Sequence, residues 1–294
     1  MSINFFKNVK DAIAHLNPQE TRDQADQPVR LVLVADSDLA YRQMENFFTP
    51  VELSSDKRAE VANVVYRASS SDAASTLSTG NTIQVFSRGL AKPKEGFTFH
   101  PENPEHTVKD IIRQHPDLGI PLARHIYPFR APVVESLIKK ISKENALFSL
   151  ATALPDVIPF LSLPWAIGEF ASDTAVLTAN QVRLAFLLAA ASDRDIGYRE
   201  QKGEIASILV GAFGWRAIAR ELVGKIPFGG GLLPKAAVAY AGTRVAGMSL
   251  ERYYRIGYGY TREERRAAYS DALERGKSIA GAMINGIKHR QIAH

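Results

Sequence analysis

The sequence predicts an α+β protein of two domains. A small α/β layer domain comes first, and an all-α helical bundle with two apolar Pro/Gly-rich hairpin tips follows. Three observations lead there. In the first half, two short β-branched runs, "VRLVLVAD" (29–36) and "TIQVFSRG" (82–89), alternate with a helical pattern. Beyond "YPFRAPVVESLIKKISKENALFSLATAL", from residue 127, strand signals vanish and helical periodicity takes over. In that second half, "LPDVIPFLSLPWAIGEF" (154–170) and "GKIPFGGGLLP" (224–234) join apolar residues to prolines and glycines. The expected division is 1–27 for an N-terminal helix and linker, 28–120 for the α/β domain and 125–294 for the helical domain.

Taken in order, Ile3, Phe6, Val9, Ile13 and Leu16 fall at helical spacing. Such a helix can dock on its own protein or lie in a membrane interface. "NPQETRDQADQP" is polar and proline-bounded, which predicts a linker. "VRLVLVAD" is a buried strand, and "SDLAYRQMENFF" is a helix capped by Ser37 or Asp38. "RAEVANVVY" (58–66) fits a helix or a strand. "SSSDAASTLSTGN" (69–81) is a small-residue loop, and 91–121, with five prolines, is expected to be mostly loop around one short helix at 105–114.

In the second half Pro132 is placed at a helix start, where its missing N–H costs nothing. Further helices are expected over "DTAVLTANQVRLAFLLAAAS", "EIASILVGAFGWRAIAREL" and "PKAAVAYAGTRVAGMSLERYYRI". The last begins at "TREE", a capping box in which Thr261 and Glu264 satisfy each other's backbone N–H. Small residues at fourfold spacing, Ala239/Thr243/Gly247 and Ser278/Ala282/Gly286, allow close helix approach.

Composition sets limits on chemistry. The chain has 294 residues, 46% hydrophobic and 23% charged, an ordinary globular balance. It has no cysteine, so disulfides, thiolate metal sites and cysteine nucleophiles are excluded together. The first 16 residues lack the uninterrupted apolar core of a secretory signal. Basic and acidic residues balance at 18 each over 1–144, whereas 145–294 holds 18 basic and 13 acidic ones. The whole surplus of +5 therefore sits in the more apolar half. That suits an anionic membrane surface, or simply a mildly basic solvated one.

A nucleotide site would be sought after the first strand. The turn there, "ADSDLAY", has no glycine, and its acids Asp36 and Asp38 would repel phosphate. "GKS" at 276–278 lacks the preceding glycine of a phosphate loop, its position being Asp271, and falls inside a helix. His100, His106 and His115 sit with Glu102 and Glu105 in a proline-rich stretch, at spacings that fit no helix-face ligand pair. No nucleophile elbow or dinucleotide fingerprint occurs. The sequence therefore nominates no catalytic, cofactor-binding or metal-binding residue, and no cofactor.

It does nominate two other sets. Residues 145–168 are 24 long with one charge, Asp156, and a spanning helix needs about 20. Three prolines argue against one straight span, since unsatisfied backbone is costly in lipid. Two short helices with a bent tip fit better, and the second tip echoes the first through a shared "IPF". Both tips could be buried between helices or dip into a bilayer. The lipid-contact candidates are Phe160, Leu161, Trp165, Lys225, Phe228, Leu232 and Lys235. The second set lies in and around "LTANQVRLAF", where Thr178, Asn180, Gln181 and Arg183 interrupt an apolar helix. Asp156 and Asp173 are candidate partners for Arg183 or Arg244. Such groups need partners when buried, so they predict a polar network that fixes helix register or holds an ion or lipid headgroup.

"RAPVVESLIKKISKENALFSLATALPDVIPF", "LTANQVRLAFLLAA" and "PKAAVAYAGTRVAG" together resemble the YcjF-like helical domain, an uncharacterised bacterial family, over roughly 125–275. The resemblance implies membrane association and company with Era-like or dynamin-like GTPase domains. It carries over no catalytic residues, because the family has no assigned reaction. If the N-terminal domain descends from a GTPase, "ADSDLAY" marks a lost phosphate loop. The expectation is a non-enzymatic, membrane-associated adaptor or structural protein. It would be cytoplasmic, peripheral or re-entrant at the inner face of the membrane, with anionic lipid and a protein such as a GTPase as partners and no role for nucleic acid. The alternatives are a nucleotide-dependent enzyme with a degenerate GTPase-like domain and a soluble structural subunit of a larger assembly. Oligomeric state is not legible.

Overall fold

The computed structural model describes residues 3–71, 81–152, 173–211 and 232–292. The protein is dominated by helices and contains one small parallel sheet of four strands. By internal contacts it divides into two compact units, residues 20–135 with 189–195, and residues 1–19, 136–188 and 196–294.

The α/β unit is built on β1 (Arg30–Val34), β2 (Val65–Ala68), β3 (Thr82–Phe86) and β4 (Phe97–Thr98), in the order β2-β1-β3-β4. All pairings are parallel, with Leu31 opposite Val65 and Ile83. A parallel sheet is covered on both faces, so its central strand has no polar face to show. Accordingly Leu31 through Val34 are all buried. The helix α3 (Asp38–Phe48) buries Met44 and Phe48, and Phe48 stacks on Phe129 with ring centroids 6.1 Å apart. Ser37 caps α3, its hydroxyl accepting from the Ala40 N–H at 3.2 Å.

The polar stretch at 17–28 is not the linker expected. Pro18–Ala25 forms a helix, α2. Asn17 Oδ1 accepts from the Gln19 N–H at 3.0 Å, Pro18 takes the first helical position where no donor is needed, and Thr21 and Ala25 are buried. The ambiguous "RAEVANVVY" is both things in turn, α4 (Ser55–Ala62) and then β2. Helix α5 (Pro104–Gln114) lies in the proline-rich stretch, but so do β4 and α6 (Gly119–His125), which holds Pro121. Pro132 does not start its helix. α7 (Tyr127–Ala151) begins five residues earlier, where buried Phe129 anchors its first turn and the Arg130 guanidinium donates to the Ala123 and Arg124 carbonyls, each at 3.4 Å.

Among its described residues the second unit is built of helices and the turns between them. It comprises α1 (Ile3–Ala14), most of α7 and α8 (Asp173–Ala191), α9 (202–211), α10 (Leu232–Ile256) and α11 (Arg262–Ile292). α1 docks on its own unit. Val9, Ala12 and Ile13 are buried, and the Tyr198 hydroxyl is shared between the Ile13 and Leu16 carbonyls, both at 2.6 Å. The capping box at the start of α11 forms in full. The Thr261 N–H donates to Glu264 Oε2 at 2.9 Å, and the Glu264 N–H donates to Thr261 Oγ1 at 3.2 Å. The line Ser278, Ala282 and Gly286 is exposed, so it is not the packing face of α11. That face is Tyr269, Ala272, Leu273, Gly276 and Ala280, all buried. The glycine of "GKS" is thus a packing residue.

Candidate functional site

The carboxyl ends of parallel strands are where α/β folds bind ligands, at the point where strand order reverses. Here that point lies between β1 and β3. Asp36 Oδ1 accepts from the Ser70 N–H at 3.1 Å, and Asp38 pairs with Arg42 at 2.6 Å. Both acids flank the capped start of α3, which leaves negative charge where a phosphate would sit. We expect calorimetry with ATP or GTP and magnesium to give no micromolar binding, and micromolar affinity that Asp36→Ala alters would overturn this. The His100 and His106 rings lie edge to face with centroids 5.9 Å apart.

In the helical unit, contacts fix the direction of every long helix. Along α7, Ile138 meets Gly247, Asn145 meets Thr243 and Thr152 meets Lys235, so α10 runs antiparallel to α7. Glu144 meets Arg183 and Asn145 meets the Leu177 carbonyl, so α8 is also antiparallel to α7. A groove is lined by Gly203, Glu204 and Ser207 of α9 with Ser249, Leu250 and Tyr253 of α10. The adjoining recess is lined by Ser207, Ile208 and Gly211 with Val245, Ala246 and Ser249, so residues later in α9 go with residues earlier in α10. α9 therefore runs antiparallel to α10 as well. Three of the four points where the chain leaves or re-enters the described structure, after Thr152 and before Asp173 and Leu232, consequently share one end of this unit. α9 is directed towards that end, but Gly211 lies beside Val245, thirteen residues or about 20 Å of helix from Leu232.

At that end Lys235 is exposed and its ammonium donates to Thr152 Oγ1 at 3.2 Å. α11 runs on beyond it. Ala280 packs with Ala236, after which α11 continues for twelve residues to Ile292, about 18 Å of helix, carrying Lys288 and Arg290. Phe160, Leu161, Trp165, Lys225 and Phe228 lie outside the described residues, as does Asp156, and nothing is described of the Leu232 and Asp173 side chains.

The polar residues of "LTANQVR" divide into three. Thr178 is buried and satisfied within its own helix, donating to the Thr174 carbonyl at 2.7 Å. Asn180 and Gln181 join a network between helices. Asn180 Nδ2 donates to Asn145 Oδ1 at 2.7 Å, Asn145 Nδ2 donates to Thr243 Oγ1 at 2.7 Å, and Gln181 Nε2 donates to the same hydroxyl at 3.4 Å. All four residues are buried. Arg183 pairs with Glu144 at 3.1 Å, and about a fifth to a quarter of each side chain remains exposed, 24% and 21%. It is a partly solvated ion pair rather than a fully buried cation. The expected partners Asp156 and Asp173 fall outside the described residues and side chains. Arg244 is half-buried on α10, next to Thr243.

Sequence reasoning missed Glu144 and Asn145. Their signal is the same one that exposed "TANQVR", polar side chains inside an apolar helix. Here Asn145 stands at the very start of the long apolar run 145–168, which masks the pattern.

α8 contains an 18-residue stretch, Thr174–Ala191, with mean hydropathy 1.4, long and apolar enough to cross a membrane. Of that stretch 83% is buried within the protein, the condition of a core helix that is apolar on all sides. Comparison with family models, curated proteins and solved structures returns no match.

Proposed function

We propose that this protein is a non-catalytic, membrane-associated adaptor of two domains. In this reading the helical domain meets lipid through one end, and the α/β domain faces a protein partner. The carrying observation is the convergence of helix ends. The stretches 153–172 and 212–231, which hold the two "IPF" tips, both leave helices directed towards one end of the helical unit and both re-enter it there, at Asp173 and Leu232. Tips at opposite ends would speak for separate structural roles, whereas tips reaching one end would act together as one apolar surface beside Lys235 and the overhanging α11. Basic residues next to an apolar surface suit anionic headgroups at a cytoplasmic membrane face. The seating is peripheral or re-entrant, because α8, the one described helix apolar enough to span, is already covered by protein. The resemblance to the YcjF-like domain adds a GTPase as the partner class, consistent with a β1 turn that does not itself suit a nucleotide.

The test is vesicle flotation of the intact chain. Binding is expected to vesicles rich in phosphatidylserine and to weaken in salt, and Phe160→Ser, Trp165→Ser and Phe228→Ser together should abolish it while the protein stays folded by circular dichroism. Unfolding of the triple variant, or a Trp165 emission spectrum indifferent to added vesicles, would place these side chains in a soluble core and end the proposal.

A further inference from the structure

The opposite end of the helical unit carries a groove that the membrane reading does not use. It holds about 360 Å³, with a recess of about 50 Å³ behind it, and lies between α9, α10 and the turn that joins α10 to α11. That volume is within the range of small-molecule sites.

One wall is held rigidly. Gly257 adopts φ +87° to end α10, and its N–H donates to the Tyr253 carbonyl at 2.8 Å. A Cβ at Gly259 would sit 2.7 Å from Ser249 Oγ, so only glycine lets the turn lie this close to α10. The Tyr260 N–H donates to Ser249 Oγ at 3.0 Å. Arg252 lies over both Tyr258 and Tyr260, at 5.1 and 5.4 Å from the ring centroids, and bonds Glu264 at 2.7 Å. The Tyr260 ring is therefore fixed before any ligand arrives.

The charges around the groove are unevenly satisfied. Arg252 pairs with Glu264 and Arg255 with Glu251. Glu204 and Arg265, which both line the groove and are both half-buried, make no ion pair among the described residues, with each other or with anything else. The Arg265 guanidinium donates once, to the Tyr260 carbonyl at 3.2 Å, and keeps its other N–H groups. The hydroxyls beside them sort the same way. Ser207 Oγ spends its proton on the Glu204 carbonyl at 2.8 Å, so it can only accept further bonds. Ser249 Oγ accepts from Tyr260, so its proton is left to give. α9 thus offers an acceptor wall, Glu204 and Ser207, and α10 with α11 offers a donor wall, Ser249 and Arg265. Leu250 and Tyr253 supply apolar surface between them.

We propose that this groove binds a free α-amino acid with an apolar side chain. The ammonium is taken by Glu204 and Ser207, the carboxylate by Arg265 and Ser249, and the side chain lies against Leu250, Tyr253 and Tyr260. Partly desolvated, unpaired opposite charges are costly to keep in an empty site, and a zwitterion satisfies both at once.

Calorimetric titration of the intact protein tests this with four probes: L-phenylalanine, L-leucine, 3-phenylpropionate, which lacks the ammonium, and 2-phenylethylamine, which lacks the carboxylate. Saturable binding of the two amino acids is expected, with each single-charge analogue weaker by at least about tenfold. Glu204→Gln should erase the advantage of phenylalanine over 3-phenylpropionate and leave the latter's affinity unchanged. Arg265→Gln should weaken both. Absence of saturable heat from either amino acid up to about 10 mM, or analogues that bind as well as the amino acids, overturns the proposal with the wild-type protein alone.

Discussion

Gly276→Val is expected to destabilise the protein by about 3 kcal/mol, the upper part of the usual range for overpacking. α10 and α11 touch at backbone distance here. A Cβ on Gly276 would lie 2.7 Å from the Ala237 carbonyl oxygen, 3.1 Å from its Cα and 3.3 Å from its carbonyl carbon. No side chain can rotate away, because every one of those atoms is backbone. The helices must separate, and with them the layer formed by Ala237, Ala241, Val245, Tyr269 and Leu273. Tyr269 is fully buried, and its hydroxyl is pushed to an elevated pKa by that burial, so any opening of this seam is felt at a large side chain. Even Gly276→Ala should cost stability, although alanine is better than glycine in a helix by about 1 kcal/mol. Gly286→Ala is the control. Nothing lies within 4 Å of a Cβ there, so the helix preference acts alone and a small gain is expected. Urea denaturation of the three variants checks this, and a neutral or stabilised Gly276→Ala would show that the close approach is not real.

The same glycine shows what the sequence could and could not tell. Small residues at fourfold spacing announced close packing on α10, and Thr243 and Gly247 are indeed buried there. On α11 the identical spacing selected Ser278, Ala282 and Gly286, which face solvent. A spacing rule names a face of a helix but not which face meets a neighbour, and only the neighbour decides. The strands were legible because β1 is apolar on both sides, which few other contexts require. α2 was not, because a helix of eight mostly polar residues has no periodic apolar stripe to detect, only a cap and two buried positions. The candidate sites divide likewise. The polar residues of α8 stood out against an apolar background. The groove residues did not, since Glu204, Ser207, Ser249 and Arg265 are ordinary surface types whose meaning lies in what fails to pair with them.

The largest polar effect is expected at Asn145. Its amide joins three helices, accepting from Asn180 of α8, donating to Thr243 of α10 and donating at 3.3 Å to the Leu177 carbonyl. Thr243 in turn passes its own proton to the Ala239 carbonyl at 2.9 Å. Asn145→Ala would leave the Asn180 amide without its acceptor, remove a donor from Thr243 and open a small cavity. Each buried polar group stranded in this way costs about 1–3 kcal/mol, so a loss of roughly 3 kcal/mol is expected from the single change. Removing the network whole is different. Asn145→Leu, Asn180→Leu and Thr243→Val together strand no partner among themselves, and apolar replacements of complete polar clusters are often neutral or stabilising. Gln181, which loses the Thr243 hydroxyl, borders the recess behind the groove and can turn its amide towards water there. The triple variant should therefore be far more stable than the sum of its single changes, with a coupling of about 1–3 kcal/mol in its favour. Additive losses in urea denaturation, or an Asn145→Ala cost below about 0.5 kcal/mol, would mean that the hydrogen bonds do not bind the three helices as a unit. If the triple variant folds as stably as predicted but its α10 slides against α7, seen as lost protection of α10 amides in hydrogen exchange, the network exists to set register. That outcome would explain why a largely apolar core retains Asn145, Asn180, Gln181 and Thr243 where three helices meet.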